Sequence, residues 1–195
     1  MAEKGPDVAQ NDTRQTFFRA LTDVAGGGLR GMLVTAFGSS RRDSTRPSTA
    51  DAARALGVSQ RTVQRWLASE GRQRQRPNAA TMRKITMRAR RTAGTKSGRA
   101  RAIAAQRDRL VTQGFRFSVL GVQGPEHGKG YVRQRHVNFD LDNPEHASGF
   151  LDAWTDGGDE AAQQYLVDHS EDIYAMDNWV FEDITDVDVS GPYGR

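Results

Sequence analysis

At 195 residues and 36% hydrophobic content, the chain has room for one medium domain or two small cores. It contains no cysteine, which excludes disulfides and thiolate metal sites, and no run nears the roughly 20 apolar residues of a bilayer span. The net charge of +4 conceals a division: residues 1–136 hold 27 of the 28 Lys and Arg and 9 of the 24 acids, whereas residues 137–195 set Arg195 alone against 15 acids.

The balance of +18 in the first part and −14 in the second points to two regions with different partners. The N-terminal MAEKGPDVAQND lacks the apolar core of a secretory signal, so a cytoplasmic protein with no membrane partner is expected. Residues 1–13 read as a disordered tail. Short helices follow over RQTFFRALTDVA (14–25) and LRGMLVTAF (29–37), and GSSRRDSTRPS (38–48) has the composition of a loop. Helix, turn and helix occupy residues 49–69, and NAATMRKITMRARR (78–91) and RARAIAAQRDRLVTQ (99–113) continue as basic helices. The character then changes. GFRFSVLGV (114–122) and YVRQRHVNFDL (131–141) alternate aromatic or β-branched residues with polar ones, so both read as strands. Helices over 143–157 and 159–174 and a strand over 178–189 complete the chain. The expected fold is α+β: a basic helical region at 14–113, with a helix-turn-helix at 49–69, and an acidic α+β region for protein contacts at 114–195.

TADAARALGVSQRTVQRWLAS (49–69) has the pattern of a DNA-binding helix-turn-helix. Ala53 is small where two helices cross. Gly57 stands at the turn, where positive φ is commonly needed, and Ser59 is a good N-cap for the second helix. Within that helix Val63, Trp66 and Leu67 share one face and should pack on Ala52, Ala53 and Leu56. Gln60, Arg61, Gln64 and Arg65 fall on the opposite face by the 3.6-residue period. Arginine can pair with guanine and glutamine with adenine, and the N-terminal end of such a helix enters the major groove. Which of the four reads which base is left open.

GRQRQRP (71–77) alternates Arg72, Arg74 and Arg76 with polar residues, which in an extended chain line one side, at about 6.6 Å intervals. That suits a run of phosphates or a narrow minor groove. Arg83, Lys84, Arg88, Arg90 and Arg91 add a basic face on the next helix, with Met87 among them. Residues 41–116 carry 20 basic and 4 acidic residues.

LGVSQRTVQRW with the basic stretch and RP that follow, then RARAIAAQRD, GFRFSV, VRQRHVNFDL, FLDA and EDITDVDV, together resemble the actinobacterial telomere-protecting terminal proteins, in order from about residue 29 to 189. The resemblance implies a protein attached to the 5′ ends of a linear chromosome or plasmid. It would bind telomeric DNA or terminal repeats, partner a telomere-associated protein and a DNA polymerase, and prime end replication from a side-chain hydroxyl. In the family the priming threonine lies in the loop before the RxRH segment. The corresponding GPEHGKGY has no Ser or Thr, and the nearest hydroxyls are Tyr131 and Ser118.

Other constellations carry less. His127, His136, His146 and His169 lack zinc-site spacing, and GVQGPEHGKG lacks a phosphate-loop pattern. Asp183, Asp186 and Asp188 do not all fall on one face of a regular strand. No metal, cofactor or acid–base set is expected, and the protein would be a primer and substrate for deoxynucleotidylation rather than an enzyme. The rival expectation is a transcriptional or plasmid-maintenance regulator that binds duplex operator DNA and forms a homodimer through its C-terminal region.

Overall fold

A computed structural model of the chain describes residues 16–24, 28–43, 45–68, 75–104, 106–126, 131–174 and 178–191. The expected tail at 1–13, and Arg72 and Arg74, lie outside them. The class is mixed α+β: helices over residues 17–113, then a three-stranded antiparallel sheet with two helices. Two compact units divide the chain, one of Ala25–Gln106 and one of Met1–Val24 with Arg107–Arg195.

The second of these units contains α1 (Thr16–Val24), α7 (Arg107–Gln113), β1 (Phe115–Pro125), β2 (Arg133–Leu141), α8 (Pro144–Gly157), α9 (Asp159–Tyr174) and β3 (Trp179–Ser190). The sheet order is β2-β1-β3, all antiparallel. Alternation along β1 sends Phe115, Phe117 and Val119 inward while Arg116, Ser118 and Leu120 stay partly exposed. Phe139 and Leu141 of β2 and Ile184, Val187 and Val189 of β3 join the same buried layer. Helix α8 covers it with Ala147, Phe150, Leu151 and Trp154, spaced to fall on one helical face.

Helix α1 belongs to this unit and not to the basic region in which residues 14–113 were grouped. Phe17 and Leu21 are fully buried, and the Phe17 ring meets Phe117 edge-on at 5.7 Å and Phe150 at 6.0 Å. Its backbone N–H donates to Asp159 Oδ2 (3.3 Å), and Arg19 pairs with Asp186 at 2.6 Å. Burying Phe17 among aromatic rings, with Leu21 beside it, outweighs any pull from the basic segments that follow the helix in sequence.

The Ala25–Gln106 unit is helical: α2 (Gly28–Phe37), α3 (Thr49–Leu56), α4 (Gln60–Trp66), α5 (Ala79–Ala93) and α6 (Lys96–Ile103). Its core joins Leu33 of α2, Ala52 and Ala53 of α3, Val63 and Trp66 of α4, and Ile85 of α5, with Leu29, Met32, Phe37, Leu56, Val58, Leu67 and Met82 packed around them. The single helix expected over 99–113 is two, α6 and α7. Gln106 N–H closes a turn on Ile103 C=O (3.0 Å) between them, and Ile103 and Leu110 are buried in different units.

Candidate nucleic-acid interface

The helix-turn-helix is built by local hydrogen bonds that its sequence prescribes. Ser48 caps α3 by accepting from the Asp51 N–H. The helix stops at Gly57, whose φ of 69° and ψ of 33° are left-handed, a conformation that costs a residue with a Cβ more than it costs glycine. The N–H groups of Gly57 and Val58 both return to Ala53 C=O. Ser59 then caps α4, its Oγ accepting from Thr62 N–H at 3.1 Å.

Burial divides the faces of α4 as the periodicity expects. Val63 is fully buried and Trp66 nearly so, Leu67 is half-buried, and Gln60, Arg61, Gln64 and Arg65 are all exposed. Ser59 itself is exposed at the start of the same helix. One contact was not legible in the periodicity: Gln60 Nε2 donates to Thr49 Oγ1 at 2.9 Å, joining the first residues of α4 and α3.

Arg76 is exposed just before α5, which Asn78 caps through Thr81 N–H (2.8 Å). Along α5, Ile85 and Ala89 turn inward, while Arg83, Lys84, Arg90 and Arg91 are exposed and Met87 is 70% exposed. Arg88 differs from its neighbours. Its Nε donates to Ala36 C=O at 3.1 Å and its guanidinium lies 5.0 Å over the Phe37 ring, so it braces α2 against α5.

The segment 38–48 is more ordered than its loop composition suggests. Ser39 and Pro47 form an isolated antiparallel bridge, Ser40 N–H donates to Arg46 C=O (2.7 Å), and Ser48 N–H donates to Gly38 C=O (2.9 Å). Inside the turn, Asp43 Oδ1 accepts from Thr45 N–H (2.9 Å) and Thr45 Oγ1 (2.5 Å), and Asp43 Oδ2 takes Arg46 Nε at 3.0 Å. The two bonds from Thr45, followed by the charges of Arg46 and Arg30, hold the Asp43 carboxyl below its ordinary value. Between this turn and α4 opens a cleft of about 680 Å³, lined by Arg30, Ser40, Arg46, Pro47, Thr49, Gln64, Leu67 and Ala68. Arg30 and Arg46 were outside the predicted DNA-contact set. The Asp-Ser-Thr-Arg order of an Asx turn was the signal that could have marked Arg46 as held in place.

In the sheet unit, the two candidate hydroxyls stand in different environments. Ser118 Oγ donates to Asn138 Oδ1 at 2.6 Å across the β1–β2 ladder. Tyr131, before β2, is 58% exposed, and its backbone carbonyl accepts from the Arg135 guanidinium.

The three aspartates of β3 require a correction. Two register shifts leave Thr185 and Glu182 without partners on β1, so Asp188, Asp186 and Asp183 pair with Ser118, Leu120 and Val122. Those three residues share one face of β1, and the extra residue at Thr185 therefore brings Asp183 to the face of Asp186 and Asp188, which regular alternation would not. Among the described residues, no group of three or more His, Cys, Asp or Glu is placed to hold a metal ion, and no helix is long and apolar enough to cross a membrane. Comparisons with protein-family models, curated proteins and solved structures find no match.

Proposed function

We propose that this protein binds DNA through its helix-turn-helix, with α4 in the major groove, and that it serves as a terminal protein of a linear replicon. The observation that carries the DNA reading is the division of α4: Val63 and Trp66 anchor it, and Gln60, Arg61, Gln64 and Arg65 all face solvent. Those side chains have the donor and acceptor patterns that recognise guanine and adenine edges. The surrounding unit carries 18 basic residues and three acids, which favours a polyanion. Arg83, Lys84, Arg90 and Arg91 would then add phosphate contacts, contributing affinity more than sequence choice.

The terminal role rests on the family resemblance, and the exposure of Tyr131 supports it. Priming requires a hydroxyl oxygen to attack the α-phosphorus of a deoxynucleoside triphosphate. A phosphoester bond forms, pyrophosphate leaves, and the hydroxyl proton passes to a base of the partner polymerase, which also supplies the metal ions. From the primer this chemistry asks mainly for reach, and Tyr131 has it. Ser118 is committed to Asn138.

Two measurements test the reading. Binding of the full chain to duplex DNA should weaken steeply with salt, with a log–log slope near −0.9 per phosphate neutralised; a flat dependence would overturn DNA binding. Incubation with a labelled deoxynucleotide and an extract from cells holding a linear replicon should give a covalent adduct. Tight binding to an internal palindrome with no adduct would make the protein an operator-binding regulator instead.

A further inference from the structure

We propose that the cleft between the 38–48 turn and α4 seats a phosphate of the DNA backbone beside the reading helix, held by Arg30, Arg46 and Thr49. This rests on the DNA-binding reading above and names a contact that neither the helix-turn-helix pattern nor the basic helix provides.

Three residues with donor groups line the cleft, and the fold leaves hydrogens on each for an outside acceptor. Arg46 is pinned at Nε by Asp43 (3.0 Å), so its stem has a defined direction while its terminal nitrogens keep their N–H groups. Arg30 is exposed on α2 and shows no hydrogen bond or ion pair among the described residues. Thr49 Oγ1 accepts from Gln60 Nε2, so its own O–H remains to donate. Two guanidinium groups and a hydroxyl match the oxygens of a phosphodiester, the group to which most protein–DNA hydrogen bonds are made.

The position suits this partner better than a free anion. Gln64 is both a wall of the cleft and a member of the exposed row on α4. A phosphate in the cleft therefore sits beside a side chain that meets base edges, which is where the strand bordering an occupied major groove runs. The turn that carries Arg46 is closed at its neck by the Ser39–Pro47 bridge and internally by Asp43. Arg46 is thus positioned before DNA arrives, and little ordering entropy is lost when it binds.

The test uses the full chain carrying Arg30→Gln, Arg46→Gln or both, with Arg54→Gln as the charge-matched control. Arg54 is exposed on α3, pairs with Asp51, and is absent from the cleft. All three arginines are exposed, and an unchanged thermal melt verifies the fold. On a mixed-sequence duplex the double variant should show a salt slope shallower by about 0.9 and a several-fold weaker affinity, while Arg54→Gln leaves the slope in place. On a duplex selected for tight binding, single methylphosphonate substitutions should reveal one phosphate whose neutralisation weakens the wild type and not the double variant. An unchanged slope in the double variant, an equal change in Arg54→Gln, or no singled-out phosphate overturns the cleft while leaving DNA binding intact. A wild type without salt dependence overturns the DNA reading itself. Displacement of the duplex by a deoxynucleoside triphosphate more readily than by free duplex, lost in the double variant, would make the cleft a nucleotide site and also overturn the proposal.

Discussion

Gln60 Nε2 donates to Thr49 Oγ1 at 2.9 Å, so the first side chain of α4 is held by the first residue of α3. This bond fixes which way the Gln60 amide faces and leaves its Oε1 free to accept. If Gln60 reads a base, Gln60→Ala should relax discrimination at one position of the site by about 1–3 kcal/mol with an unchanged salt slope. Thr49→Val should reproduce part of that loss by releasing the Gln60 amide, and should add a uniform loss at every position if its hydroxyl holds the phosphate in the cleft. Binding to a library of single-base variants of a selected site measures both; equal loss at every position would exclude a base contact by Gln60.

Trp66 is the largest side chain in the core of the Ala25–Gln106 unit, only 4% exposed beside Val63, Leu33 and Ile85. Trp66→Ala should cost about 3–5 kcal/mol, a large fraction of what a unit of about 80 residues holds. Amide exchange resolved by segment should show protection lost across α3, α4 and α5 and retained in β1 and β2. Loss in both groups together would mean that the two units unfold as one.

Two glycines should respond differently to alanine. At Gly57 a methyl group meets nothing within 4 Å, but the backbone is left-handed, so Gly57→Ala should cost about 1–2 kcal/mol through conformation alone. Gly121 stands in the centre of the sheet, where a Cβ would lie 2.1 Å from Asp183 C=O. Gly121→Ala must therefore push β3 away at its bulge and should destabilise the sheet by more. Thermal melts rank the two, and loss of β3 amide protection in Gly121→Ala only would locate the second.

Asp43 makes the arginine turn sensitive to acid. The Thr45 hydroxyl and N–H, and then Arg46 and Arg30, lower its pKa from the ordinary 3.8. Because the folded value is the lower one, the stabilisation is complete above that ordinary value and is lost as pH falls through the folded value. The Thr45 amide resonance should therefore move in acid below pH 3.8 and stay fixed across neutral pH, and Asp43→Asn should abolish the movement. A Thr45 midpoint above 3.8 would contradict the turn as described.

Tyr131→Phe should remove the nucleotide adduct, whereas Ser118→Ala should leave it and only loosen the contact with Asn138. Peptide mapping of the labelled protein distinguishes them. Label on Ser118 would require β1 and β2 to part during priming.

The helix-turn-helix was legible in the sequence because everything that makes it is short-range. Ser48, Gly57 and Ser59 act on backbone groups within four residues, and the spacing of Val63 and Trp66 sets which side of α4 is apolar. The strand alternation at Phe115, Phe117 and Val119 was readable for the same reason. Four features were decided only by the tertiary structure. An amphipathic helix such as α1 states that it needs an apolar partner but not which one, and the aromatic layer of Phe117 and Phe150 settled it. The bulge at Thr185 arises from pairing with a strand some 60 residues earlier, so no local pattern could show Asp183, Asp186 and Asp188 on one face. Arg88 reads as one more surface cation until Ala36 and Phe37 are folded beneath it. Arg30 and Arg46 came together because α2 and the 38–48 turn pack beside α4, and a cleft is a property of packed elements that no stretch of chain possesses alone.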